Sequence, residues 1–152
     1  ACLVGSEMCI RDRHLTEELL DRLLASASIE QYLDEGLVSA RTLTDYLFDR
    51  MEAHDLRRAD VVRASGLNAT VVYDIFSGKS RPGRDHAIML AFGLKCTLRE
   101  TQRLLRLAGV SELWCKQRRD AIIIWCIRNG FDRIATDDEL YRMGEATLLP
   151  AD

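Results

Sequence analysis

"VRASGLNATVVYDIFSGK", residues 62–79, has the pattern of two short helices joined by a glycine. We predict the first helix over residues 58–65, and Gly66 supplies the positive φ that a tight turn between helices needs. Asn68 is a good N-cap for a second helix over residues 69–76, because its side chain can accept a hydrogen bond from a free backbone amide. The spacing therefore predicts a compact pair of helices with a sharp corner at Gly66.

The apolar residues of this pair predict which side of each helix faces the core. Helical periodicity places them on one side and leaves a mostly polar side available to a ligand. The positions that we expect to be buried are Val61, Val62, Ala64, Leu67, Val72, Ile75 and Phe76. The positions that we expect to face outward are Ala69, Thr70, Tyr73 and Asp74.

Helical patterns dominate the rest of the chain as well. Only two prolines occur, and no alternating apolar run of strand length is present. Capping boxes are predicted at Ser28 with Gln31, Thr97 with Glu100, and Thr136 with Glu139. Glycines suited to helix C-termini are Gly66, Gly78, Gly109 and Gly130. The prediction is an all-α fold with about eight or nine short helices.

Composition and cysteine usage limit the class of protein. The chain has 152 residues and is 47% apolar, which is enough to bury a substantial core without metal or disulfides. Its five cysteines are odd in number and form no C-x-x-C pair, so we expect reduced thiols, no metal site and a cytoplasmic protein. The longest apolar run, residues 121–127, is far shorter than the roughly 18 residues of a membrane span.

The chain divides into four predicted segments. Residues 1–13 are expected to be a non-native or disordered leader, residues 14–42 an N-terminal helical extension, and residues 43–109 a central domain. Residues 110–152 are expected to be a C-terminal helical extension, containing a buried apolar helix around "AIIIWCIRNGF" and an acidic helix from Asp137 to about Glu145. This last segment could be a lid over the central domain or a surface for self-association.

Charge is distributed unevenly along the chain. The net charge is −3, but residues 56–119 hold thirteen bases and five acids, whereas residues 14–55 hold three bases and ten acids. Residues 120–152 hold three bases and seven acids. A basic segment between acidic flanks is expected of a phosphate-binding surface. The alternative is that these charges solvate helix surfaces and pair with the flanks.

The ordered series of features over residues 43–109 resembles the helix-turn-helix family of phage-repressor and Cro-like transcriptional regulators, the xenobiotic-response-element class. The features are an apolar helix, "LRRADVVRASGL", "NATVVYDIFSGK", the basic loop "SRPGRD" and "HAIMLAFGLKCTLRETQRLLRLAGV". The resemblance implies a five-helix domain with additional helices at both ends. It also implies a sequence-specific regulator that binds double-stranded DNA, expected to act as a homodimer.

The same resemblance implies which residues meet DNA. In the family the second helix of the pair enters the major groove, while the first helix and the loop after the second contact phosphates. The expected base-contacting residues are Asn68, Ala69, Thr70, Tyr73 and Asp74. The expected phosphate-contacting residues are Arg57, Arg58, Lys79, Arg81 and Arg84.

Two of these residues keep a second function open. Ala69 can contact only a thymine methyl, and Asp74 can accept from cytosine but repels phosphate, so a local ion pair with Lys79 or Arg81 is the expected state of Asp74. The alternative is a helical protein-interaction module that keeps the scaffold, while its acidic flanks bind a partner protein or cover its own basic surface. The three histidines lie near no nucleophile in sequence, and we predict no catalytic residues and no cofactor.

Overall fold

The computed structural model describes residues 17–35 and 41–150. In these ranges helices joined by turns and loops are present and no strand occurs, which confirms the all-α prediction. The predicted leader, residues 1–13, lies outside the described residues. Nine helices are described: α1, residues 17–25; α2, Ile29–Asp34; α3, Leu43–Ala53; α4, Arg58–Ser65; α5, Ala69–Phe76; α6, Arg84–Gly93; α7, Leu98–Leu107; α8, Arg118–Arg128; and α9, Arg133–Arg142.

The described residues form two compact units, which meet in the sequence between Arg41 and Thr42. The first unit contains α1 and α2. Helix α2 begins after Ser28, whose hydroxyl accepts a hydrogen bond from the Gln31 backbone amide at 3.2 Å. This confirms the N-cap half of the predicted box, and the reciprocal contact from the Gln31 side chain is not formed.

The second unit contains the predicted helix pair. Helices α4 and α5 have the predicted bounds, and Gly66 between them has a φ of 78°. The Asn68 side chain accepts from the Thr70 amide at 2.8 Å, which satisfies one of the free donors at the start of α5. The corner and the cap predicted from residues 62–79 are therefore confirmed.

Burial in this pair follows the prediction at most positions. Leu67, Val72, Ile75 and Phe76 are buried, as is Val61, whereas Val62 is half-buried and Ala64 is exposed. The prediction of burial was therefore wrong for Ala64, and for Val62 it was wrong in part, since that side chain is only half-buried.

Ser65 takes the place in the core that Ala64 was expected to fill. Its hydroxyl donates to the Val62 carbonyl and accepts from the Leu67 amide, both at 3.2 Å, so the buried polar group is satisfied. A Cβ on Gly93 of α6 would lie 2.8 Å from the Ser65 Cβ. Close packing of α6 on α4 explains why small residues occupy both positions.

The C-terminal helices belong to the same compact unit as residues 42–109. Ile123 of α8, Leu140 of α9 and Leu148 after α9 join one apolar core with Val61 and Leu90. Removal of residues 130–152 would therefore open this core. Residues 130–150 form part of the folded body and not a detachable lid.

Helix α8 differs from the prediction of a helix buried on nearly all sides. Only Ile123 and Cys126 among its apolar residues are buried, and Trp125 is 53% exposed. Helix α8 packs against α7 and α9, and these neighbours leave the Trp125 side uncovered, where the indole contacts Phe131 edge to face at 5.3 Å.

Helix α9 begins four residues earlier than the predicted Asp137 and ends at Arg142. Asp132 is its N-cap and accepts from the Ala135 amide at 2.8 Å. The predicted capping box of Thr136 with Glu139 was wrong, because Thr136 is buried inside the helix and donates to the Asp132 carbonyl at 2.8 Å. The box of Thr97 with Glu100 was confirmed at the start of α7.

Gly66 lies against the C-terminal part of the fold, and this contact gives a prediction. A Cβ at Gly66 would lie 2.6 Å from Nε of Arg133, a buried side chain that is paired with Asp137 at 2.8 Å. We expect Gly66→Ala to lower the free energy of unfolding by about 3 kcal/mol, from left-handed strain plus displacement of this guanidinium. Urea unfolding followed by circular dichroism measures the change.

Gly130 provides a matched control for that substitution. Its φ is 76°, close to that of Gly66, but a Cβ there would meet nothing within 4 Å. Gly130→Ala should therefore cost only the backbone strain, about 1 kcal/mol. Equal losses for the two variants would contradict the proposed contact between the Gly66 turn and Arg133.

Candidate nucleic-acid interface

The outward side of α5 carries the five residues predicted to face bases. Asn68, Ala69, Thr70 and Tyr73 are exposed, and Asp74 is half-buried. The Oδ1 atom of Asn68 caps the helix, so its amide group is the part left for an external acceptor. These side chains are short apart from Tyr73, and a ligand surface could approach the first turn of α5 closely.

Arg58 extends this surface from the neighbouring helix. It is the first residue of α4, and its Cζ atom lies 5.2 Å from the centroid of the Tyr73 ring. This is within the range of a cation–π contact. The sequence did not reveal the contact, because residues 58 and 73 are brought together only by the fold at the corner.

The loop after α5 presents two exposed cations, Lys79 and Arg81. The Lys79 and Ser80 backbone amides donate to the Asp74 carbonyl at 2.9 and 3.3 Å, which ties the loop to the end of α5. Pro82 is buried at the other end of the loop. The loop is therefore anchored at both ends.

Asp74 does not form the predicted ion pair. Within the described residues no carboxylate–cation contact at 4.0 Å or less joins Asp74 to Lys79 or Arg81. The connection between Asp74 and Lys79 is made by the backbone instead. The expectation of a local salt bridge was wrong, since the loop is closed by main-chain hydrogen bonds that do not need the carboxylate.

Arg57 lies at the start of α4 and is 86% exposed. Its backbone amide donates to the Asp60 carboxylate at 2.9 Å, and this hydrogen bond holds the pKa of Asp60 below its ordinary value. The Arg57 guanidinium is 3.7 Å from the same carboxylate. Such an exposed pair is weak, so the guanidinium can exchange this partner for a phosphate.

Arg84 was predicted to contact phosphate, but its guanidinium is occupied inside the protein. It forms a bidentate pair with Asp120, at 3.0 and 2.7 Å, and donates to the carbonyls of Ser111 and Glu112, both at 3.0 Å. Four of its five donors have partners within the chain. We therefore remove Arg84 from the candidate interface and assign it to the connection between α6 and α8.

Carboxylates neutralise most other arginines in the second unit. The paired residues are Arg50 with Glu100, Arg57 and Arg63 with Asp60, Arg84 with Asp120, Arg106 with Glu112, Arg118 with Glu145, Arg119 with Asp85, Arg133 with Asp137, and Arg142 with Glu139. Arg58, Lys79 and Arg81 make no such pair in the described residues, and neither do Lys95, Lys116 and Arg128. In the part of the chain that the structure describes, Arg58, Lys79 and Arg81 therefore have no carboxylate within 4.0 Å of their charged groups.

A second group of titratable residues lies between α3 and α7 and was missed by sequence reasoning. Burial raises the pKa of the Cys96 thiol to about 12 and the pKa of Tyr46 to about 12. Arg50 forms an ion pair with Glu100, and the His54 ring lies 3.5 Å from that carboxylate. A thiol with so high a pKa is not a nucleophile at neutral pH, and this group holds α3 against α7.

Comparisons with protein-family models, curated proteins and solved structures found no match to this chain. In residues 17–35 and 41–150, no helix has the length and apolarity needed to cross a membrane. The same ranges contain no group of three or more His, Cys, Asp or Glu residues that could hold a metal ion. The function must therefore be argued from the geometry of the chain itself.

Proposed function

We propose that this protein is a sequence-specific DNA-binding transcriptional regulator of the phage-repressor and Cro-like helix-turn-helix class. In this proposal α3 to α7 are the five-helix domain, α4 and α5 are the helix-turn-helix pair, and α5 enters the major groove. The support is the Gly66 corner, the Asn68 cap and the exposed polar side of α5. A helix with this setting is the element that reads base edges in such proteins.

One observation carries the proposal: three cations on or next to the helix pair lack carboxylate partners. Arg58 contacts Tyr73 of α5, and Lys79 and Arg81 lie exposed in the loop that follows α5, whereas arginines such as Arg84 and Arg119 are paired inside the protein. Unpaired cations attract phosphate and release counterions when they bind it. The distribution of pairing thus favours a duplex on this side even though the net charge is −3.

The roles of the residues follow from their chemistry. Thr70 and Tyr73 can hydrogen-bond to base edges, the Ala69 methyl can contact a thymine methyl, and Asp74 can accept from a cytosine amino group. Lys79 and Arg81 would hold the phosphate backbone on one side of the groove, with Arg57 at the start of α4. Base contacts would supply specificity and phosphate contacts most of the affinity.

Pairing of two copies would extend the site across a two-fold operator. Exposed apolar side chains on α8 and α9 offer a surface for this, since Trp125, Ile134 and Tyr141 are all more than half exposed. Two domains in a symmetric dimer would contact half-sites about 10 bp apart.

The salt dependence of duplex binding tests the proposal. We expect the full chain to bind a mixed-sequence duplex at low salt, measured by fluorescence anisotropy, with affinity falling as salt rises. Contacts from Arg57, Lys79 and Arg81 in one copy predict a log–log slope of roughly −3 per bound domain. A lack of duplex binding at low salt, or an affinity independent of salt, would rule the proposal out.

The exposed apolar residues Trp125, Ile134 and Tyr141 also favour a second candidate, a helical protein-interaction module without strong DNA binding. Exposed aromatic and aliphatic side chains of this size are typical of protein interfaces. This candidate predicts a stable heterocomplex in which no DNA remains after nuclease treatment, together with no binding to duplex DNA by the isolated chain.

A further inference from the structure

The Arg58 side chain contacts an aromatic ring on the outward side of α5. Its guanidinium lies over the ring of Tyr73, the fifth residue of α5, and both side chains are exposed. Within the described residues, no carboxylate or carbonyl accepts a hydrogen bond from it. This cation–π contact holds its charge beside Tyr73, on the outward side of α5.

The stability of α4 does not explain this arginine. Arg58 is the first residue of α4, and the N-terminus of a helix carries partial positive charge that disfavours a cation. An arginine in this position weakens the helix that holds it. The cation–π contact with Tyr73 offsets this cost, and it also holds the guanidinium on the outward side of α5, where an external acceptor can reach it.

The contact with Tyr73 also prepares the guanidinium for one kind of acceptor. The Cζ atom of Arg58 lies 5.2 Å from the ring centroid, and within the described residues the guanidinium donors have no hydrogen-bond partner, so they are available to an external acceptor. In the major groove, the O6 and N7 atoms of guanine form a planar pair of acceptors that matches two arginine donors. The small residues Ala69 and Thr70 leave room beside Tyr73 for the base pair to approach.

From this geometry we infer that Arg58, held by Tyr73, reads a guanine in the major groove and does not serve as a phosphate contact. Arg58 is then a specificity-determining residue, and Tyr73 is its positioning residue. The inference rests on the proposed DNA-binding function. The guanine contact of Arg58 would add one specified base to those that the residues of α5 select by themselves.

Selection from a random duplex pool tests the inference with four forms of the chain: wild type, Arg58→Ala, Tyr73→Phe and Tyr73→Ala. The wild type should enrich a motif with an invariant guanine in each half-site. Arg58→Ala removes every donor of the side chain, so preference for that guanine should fall by about tenfold or more while the preferences at the other positions are retained. Tyr73→Phe keeps the ring and should retain the preference, whereas Tyr73→Ala should reduce it.

Replacement of the selected guanine by 7-deazaguanine provides a second readout on the DNA side. It removes the N7 acceptor, so it should weaken wild-type binding but leave binding by Arg58→Ala nearly unchanged. Circular dichroism checks that the variants, all at exposed positions, remain folded.

Two results would overturn the inference, and they are distinguishable. If Arg58→Ala weakens binding equally for all sequences and keeps the guanine preference, Arg58 is a phosphate contact and the DNA-binding proposal stands. If the wild type enriches no motif and binds no duplex at low salt, the proposed function fails and the inference fails with it.

Discussion

The double variant Lys79→Glu and Arg81→Glu is expected to bind duplex DNA roughly 100-fold more weakly than the wild type at low salt. Each residue would contribute about 1.5 kcal/mol as a charged contact to phosphate, and the two losses add if each side chain contacts a different phosphate. The magnitude of the log–log salt slope should also fall, by about 2 per domain. Anisotropy titrations at several salt concentrations measure both quantities.

A matched control separates local contacts from net charge. Lys116 and Arg128 are exposed and, like Lys79 and Arg81, lie outside the ion pairs of the second unit. The variant Lys116→Glu with Arg128→Glu changes the net charge by the same amount, and we expect it to bind nearly as tightly as the wild type. Equal losses in the two double variants would contradict a phosphate-binding role for the loop after α5.

The substitution Asp120→Ala is expected to destabilise the fold by about 3 kcal/mol. Asp120 is only 2% exposed, accepts two hydrogen bonds from Arg84, and accepts a third from the Trp114 amide at 3.0 Å. Its removal leaves a largely buried guanidinium without its counter-ion, which is the costly way to break a buried pair. Urea unfolding at neutral pH measures the loss.

Asp85→Ala is the control, because Asp85 forms the neighbouring pair of the same two helices with Arg119. Its side chain is 43% exposed, so we expect a loss of only about 1 kcal/mol or less. If Asp85→Ala were as damaging as Asp120→Ala, burial of the Arg84–Asp120 pair would not be the reason for the effect.

The destabilisation by Asp120→Ala should depend on pH. Burial raises the pKa of Asp120, but the hydrogen bonds from Arg84 and the Trp114 amide outweigh it and hold the pKa below its ordinary value. The folded state therefore binds the proton less readily than the unfolded state, and the contribution of the ionised group is complete above the unfolded pKa of about 3.9. It is lost as the pH falls through the folded pKa, so the difference between wild type and variant should narrow in acid.

The local features of the helix pair were predictable from the sequence because they depend on neighbouring residues. Gly66 and Asn68 act through backbone conformation and short-range hydrogen bonds, and the apolar spacing of α5 fixes its buried side. These features require no knowledge of distant parts of the chain. The bounds of α4 and α5 were confirmed for that reason.

The errors concern residues whose state is set by distant neighbours. The sequence placed Arg84 in a basic loop, but in the fold Asp120 of α8 forms an ion pair with it. The apolar sequence of α8 predicted a fully buried helix, but its packing leaves Trp125 exposed. Thr136 looked like a helix start, but its hydroxyl bonds within a helix that had already begun at Arg133. Sequence periodicity carries no information on which distant element covers a given side.

The distribution of ion pairs links the fold to the proposed function. Carboxylates of the C-terminal segment, including Asp120 and Asp137, neutralise arginines that support packing. This leaves Arg58, Lys79 and Arg81 as the cations beside α5. An acidic chain can in this way present a basic surface to DNA.

The most direct measurement of the central claim is selection by the wild-type chain from a random pool of duplexes, followed by sequencing. If α5 reads the major groove in a symmetric pair, the pool should converge on two inverted half-sites about 10 bp apart, and binding to the selected duplex should weaken steeply with salt. A pool that stays random after repeated rounds at low salt, with no duplex retained by the protein, would contradict the claim.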